Sequence, residues 1–91
     1  MDDARLRKLR FRAWRRGFRE ADLILGQFAD AQLDGFSEEE LAQFEALLDS
    51  LHQDLYAWII GQAAAPQVHD TPVLERLKRF SRSAPMGRPG A

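Results

Sequence analysis

Cysteine is absent from the 91 residues, which rules out disulfides, thiolate catalysis and cysteine-ligated zinc or iron–sulfur centres. A reducing compartment is compatible with that usage. Histidine occurs only at His52 and His69, too few for a three-ligand catalytic zinc site without carboxylates, and their separation matches no local metal spacing. Both are read as surface residues, and no metal is expected. No apolar run approaches the roughly 20 residues that cross a bilayer. The opening Met1-Asp2-Asp3 is acidic and leads into no signal-peptide stretch, so the expectation is a soluble, cytoplasmic chain. Glycine loops that cradle phosphate and dinucleotide fingerprints are both missing. A chain this short supports one core of modest stability and little room for a substrate cavity, which argues against a small-molecule enzyme.

Basic residues are missing from the entire middle of the chain. Residues 20–75 hold twelve Asp or Glu and no Lys or Arg, whereas residues 1–19 hold eight basic residues against two Asp, and residues 76–91 hold five basic residues and no acid. The formal net charge of −1 conceals this segregation. Two readings are open: the blocks attract one another within the fold, or a basic face meets an anionic partner.

Period-two alternation is also absent, and what remains is helical. Leu6, Leu9, Ala13 and Trp14 keep a spacing of three and four that predicts a helix over residues 3–15. Gly17 stands where a left-handed residue closes a helix. A second helix begins near Phe18 or Arg19, with Ala21, Ile24, Leu25 and Phe28 as its apolar stripe and Glu20 and Asp22 at its positive end. Gly35 interrupts it. Ser37-Glu38-Glu39-Glu40 is a capping box that starts a third helix ending at Asp49 or Ser50, with Leu41, Phe44, Leu48 and Leu51 on its stripe. These consecutive glutamates point in different directions on a helix and make no paired-carboxylate site. A fourth helix from Gln53 to Ile60 is apolar all round and therefore expected to be mostly buried, ending at Gly61. Thr71-Pro72 caps and opens a fifth that runs to Arg82. The expected fold is all-α: a small five-helix bundle, one domain over residues 1–82, with 83–91 a disordered tail rich in proline and glycine.

The segment of most functional interest is Arg16-Gly17-Phe18-Arg19-Glu20. It sets a cation with a planar fork of donors, a bare backbone and an anion on one corner between two helices, an arrangement suited to docking and not to catalysis. Downstream, Asp54-Leu55-Tyr56-Ala57-Trp58 sets an acid, a leucine and a tryptophan within five residues. Leu55 and Trp58, three apart on a helix, also read as simple core. Together the two segments resemble the succinate dehydrogenase assembly factors, and the resemblance covers roughly residues 5–80. It implies a small helical, chaperone-like protein that binds the flavoprotein subunit of succinate dehydrogenase, with fumarate reductase as a second candidate, and promotes covalent attachment of FAD to it. In that chemistry a histidine of the flavoprotein becomes bonded to the 8α carbon of the flavin, so FAD is attached to the partner and none is held tightly here. The resemblance points to Arg15, Arg16, Gly17, Phe18, Arg19, Glu20 and Asp54 as partner-binding residues and to no catalytic residue; the free chain is expected to be a monomer.

Two features depart from that pattern. Ala21 follows the motif glutamate where the family commonly has leucine, and the first helix is unusually arginine-dense. The lack of a targeting extension looks bacterial and not mitochondrial. A competing reading takes the basic cluster from Arg5 to Arg19, with Phe11 and Trp14 interleaved, as a nucleic-acid surface or part of an antitoxin-type regulator. Against it, a recognition helix would carry basic side chains that residues 20–75 lack.

Overall fold

The first helix, α1 (Asp3–Trp14), buries Leu6, Leu9 and Ala13 at the spacing its sequence carries. It belongs to a computed structural model that describes residues 3–15, 17 and 19–83, the side chains of Asp3 and His52 excepted. The other helices are α2 (Arg19–Gln32), α3 (Glu38–Asp49), α4 (His52–Ile60) and α5 (Pro72–Ser83), with short 3-10 turns at Leu33–Gly35 and Gln67–His69. No strand occurs among the described residues. The all-α, five-helix expectation therefore holds. Residues 84–91 of the expected tail lie outside the described residues, and Ser83 closes α5 instead of opening the tail.

α1 packs chiefly on α2, and α5 lies against α2, α3 and α4. Phe28 of α2 is at the centre, fully buried, with the rings of Phe36, Phe44 and Phe80 at 5.9, 5.8 and 5.5 Å. Edge-on and tilted pairs of this kind add about 0.5–1.5 kcal/mol each beyond the area they bury. The described core contains no buried polar or charged side chain, so it is held by packing alone.

Capping fixes where the helices begin. Ser37 Oγ accepts from the Glu40 backbone N–H at 3.2 Å while Glu40 Oε1 accepts from the Ser37 N–H at 2.8 Å, the reciprocal box read from the sequence. The second carboxylate oxygen of Glu40 accepts from Arg76 Nη1 at 2.8 Å, and the Arg76 guanidinium also lies 4.9 Å from the Phe36 ring centroid. At the start of α5, Thr71 Oγ1 accepts from Leu74 N–H and Gln43 Oε1 from Val73 N–H, both at 3.3 Å.

Three further sequence expectations about these helices need correction. Leu51 does not extend the α3 stripe; it sits between α3 and α4, 66% exposed, and Leu47 takes the buried position. α4 is not buried all round, because it rides on α5 and α3 along one face, so that Leu55, Trp58 and Ile59 are buried while Ile60 faces outward. His69 is half-buried, its ring 5.3 Å from that of Trp58 and tilted 31° to it.

Candidate docking corner

The corner begins where α1 runs out. Arg15 N–H donates to the Arg12 carbonyl at 3.2 Å, a last tightened turn, and Gly17 then takes φ of +92°. That conformation is strained for any residue with a Cβ, which is why glycine stands there. Among the described residues beyond its chain neighbours, a Cβ built on Gly17 meets nothing within 4 Å. The glycine is thus demanded by backbone direction and not by crowding from those residues. Arg15, Gly17, Arg19 and Glu20 are all exposed. Glu20 lies in the first turn of α2, where its charge suits the helix dipole. Arg16 and Phe18, the other two residues expected here, lie outside the described residues.

The segregated charges are largely brought together. Arg5 donates to Glu38 at 2.8 Å and Glu45 at 3.3 Å, Arg10 lies 2.8 Å from Asp34 and 3.7 Å from Asp30, and Arg12 lies 2.7 Å from Asp49. The hydrogen bond with Glu38 raises the Arg5 guanidinium above its ordinary pKa. One side of α1 is therefore neutralised by acids of α2, the following turn and α3. On its other side Arg7, Lys8, Arg15 and, across the corner, Arg19 are exposed and make no ion pair among the described residues. The Arg15 guanidinium lies over the Phe11 ring, 4.6 Å from its centroid, and that ring is 61% exposed.

The downstream box divides between core and surface. Leu55 and Trp58 are buried, and Asp54 is exposed in the first turn of α4. The main contacts of α4 are with α5 and α3, not with the α1–α2 pair that frames the corner.

One element escaped the sequence reading. Trp14, expected in the buried stripe, is 37% exposed, and its indole lies on the Cα of Gly26 in α2, where a Cβ would overlap the ring. Its Nε1–H donates to Asp30 Oδ2 at 3.2 Å. The available signal was Gly26 itself, a lone glycine inside a strongly periodic helix, which commonly has a packing reason.

The sequence matches the family described as the flavinator of succinate dehydrogenase over residues 7–81. It is 38% identical over 79 residues to the FAD assembly factor SdhE of Acetobacter pasteurianus, covering 87% of this chain and 72% of that one. It is 31% identical over 81 residues to mitochondrial succinate dehydrogenase assembly factor 2 of Dictyostelium discoideum, covering 89% of this chain and 57% of that one. With its Schizosaccharomyces pombe counterpart the identity is 33% over 82 residues, covering 89% and 59%. The chain thus spans somewhat more than half the length of these mitochondrial relatives. With the family match over residues 7–81 and these identities, the chain belongs to the succinate dehydrogenase flavinator family.

Proposed function

We infer that this chain is a non-enzymatic assembly factor that docks on the flavoprotein subunit of succinate dehydrogenase and promotes covalent attachment of FAD to it. Family membership supports the role, and the observation that carries the docking assignment is the exposed left-handed Gly17, near exposed Arg15, Arg19 and Glu20 and crowded by no described residue beyond its chain neighbours. A partner backbone can approach such a glycine closely, while arginine forks bind its carboxylates or carbonyls and Glu20 accepts its donors. Arg16 and Phe18 belong to the same proposed motif, and Asp54, on α4 away from the α1–α2 pair, is a separate proposed contact.

FAD is not a resident cofactor of this chain. In this reading the reacting groups, the flavin included, belong to the partner. Docking acts by position: it favours the conformation of the flavoprotein in which its own nucleophile and the flavin stand at reacting distance. The chain works as a monomer in the cytoplasm, with fumarate reductase flavoprotein as a second client. No described helix is long and apolar enough to cross a membrane. The nucleic-acid reading loses Arg5, Arg10 and Arg12, which are engaged by carboxylates, and none of the relatives above supports it.

The test is the covalent flavin content of the succinate dehydrogenase flavoprotein, read by in-gel flavin fluorescence in cells lacking this protein. Complementation with the natural chain restores the signal and Gly17→Arg does not. Unchanged flavinylation in the deletion would reject the role, and full rescue by Gly17→Arg would reject the site.

A further inference from the structure

We propose that Trp14, seated on Gly26 and hydrogen-bonded to Asp30, is the positioning residue of the docking corner. It clamps the last turn of α1 onto α2, so that Arg15, Gly17, Arg19 and Glu20 are presented in one preformed arrangement; this role rests on the docking reading above. Trp14 is the last residue of α1, three positions before Gly17. Its indole covers the Gly26 Cα, and its Nε1–H reaches Asp30 Oδ2 one turn further along α2. The other oxygen of Asp30 faces Arg10 Nε at 3.7 Å, and Arg10 Nη2 continues to Asp34 at 2.8 Å. Trp14 and Arg10, four apart on α1, thus grip Gly26, Asp30 and Asp34 along one line.

Two locally unfavourable choices meet in this clamp. A glycine in a helix interior is a poor helix former, and a tryptophan left more than one-third exposed forgoes part of the burial that large aromatics supply. Each makes sense with the other, because a side chain on Gly26 would occupy the indole's place. Local sacrifices of this kind are expected where function sets the geometry. The rest of α1 has its own anchors in Leu6, Leu9, Ala13 and the ion pairs of Arg5 and Arg12. Releasing Trp14 therefore loosens the end of the helix, next to the corner, and leaves the bundle standing. A loosened corner must be ordered again on binding. Fixing one backbone residue weakens affinity by about tenfold.

Gly26→Ala tests the clamp without touching the docking surface, because Gly26 is buried beneath the indole. Dissociation constants of the purified full chain for the purified succinate dehydrogenase flavoprotein are measured with tryptophan emission and thermal melting on the same samples. The expected result for Gly26→Ala is about tenfold weaker binding, red-shifted emission and a retained cooperative melt. Trp14→Ala is expected to weaken binding comparably, the double variant no more than the worse single one, and Trp14→Phe, which keeps a ring on Gly26, to recover most of the affinity. Should Gly26→Ala not fold, the exposed Asp30→Ala removes the acceptor and is expected to weaken binding about threefold. Natural affinity in Gly26→Ala with displaced emission, natural affinity in Asp30→Ala, or additive losses in the double variant would overturn the proposal. Additive losses would instead make Trp14 a direct contact. If the natural chain does not bind the flavoprotein, the docking reading fails and this role falls with it, whatever the emission reports about the clamp.

Discussion

Gly17 and Gly61 are the two positive-φ glycines among the described residues, at +92° and +84°, and a Cβ on either would meet none of those residues within 4 Å beyond its chain neighbours. Their backbone demands are therefore nearly the same. Their surroundings are not. At Gly61 the chain closes a Schellman motif, with the Gly61 N–H on the Trp58 carbonyl at 3.3 Å and the Gln62 N–H on the Ala57 carbonyl at 2.9 Å. It then passes into Gln62 and three alanines, where little side chain is available to recognise anything. At Gly17 the same kind of turn is flanked by exposed Arg15, Arg19 and Glu20. The lesson is that a left-handed glycine is by itself a piece of folding, and the charges beside it make the corner a docking candidate.

The largest effect sets a baseline for any loss at either glycine. Phe28→Ala removes the ring that meets Phe36, Phe44 and Phe80, and it should cost about 3–5 kcal/mol in chemical denaturation. Any flavinylation defect that follows comes from loss of folded chain, and defects at the corner must be judged against it.

The next experiment breaks the comparison directly. Gly17→Arg should abolish the covalent flavin signal, while Gly61→Arg, strained to a similar degree by about 1–3 kcal/mol, should retain it in proportion to the folded protein. Equal loss in both would reduce the Gly17 corner to a structural turn. On the stability side, Gly17→Ala and Gly61→Ala should each lower the unfolding free energy by about 1–2 kcal/mol. A clearly larger cost at Gly61, whose cap bonds are part of the turn, would sharpen the contrast.

The smallest effect separates the two sides of α1. Arg12→Ala removes the pair with Asp49 and should cost no more than about 1 kcal/mol of stability, with flavoprotein affinity unchanged. Arg15→Ala should leave stability nearly unchanged and weaken binding, with the loss shrinking as salt is raised. A reversed pattern would place the interface on the acidic side of the helix.

Much of the fold was legible because short-range chemistry fixes it. The Ser37–Glu40 box, the Thr71-Pro72 start and the left-handed Gly61 all lie where the sequence puts them. The errors concern side-chain direction at helix ends. Leu51 fits the α3 period arithmetically, yet it lies past the helix end that the sequence itself places at Asp49 or Ser50, and it turns out to solvent. Trp14 fits the α1 period, yet its ring slides onto Gly26, a contact that depends on how two helices cross and that no periodicity encodes. The charge blocks left pairing within the fold and pairing with a partner both open; three arginines of α1 turn inward to carboxylates, and others on the same helix stay exposed. The corner glycine was readable from its neighbours, whereas the clamp behind it required the tertiary arrangement.

Glu40 has a consequence for how the bundle opens. One of its oxygens closes the start of α3 and the other holds Arg76 of α5, while Gln43, one turn on, accepts the Val73 N–H at the start of α5. The C-terminal helix is thus tied to the first turns of α3 through side chains that those turns must themselves be folded to present. Amide hydrogen exchange should therefore find that opening the first turns of α3 also releases the start of α5, while the capping box of α3 can survive the loss of α5.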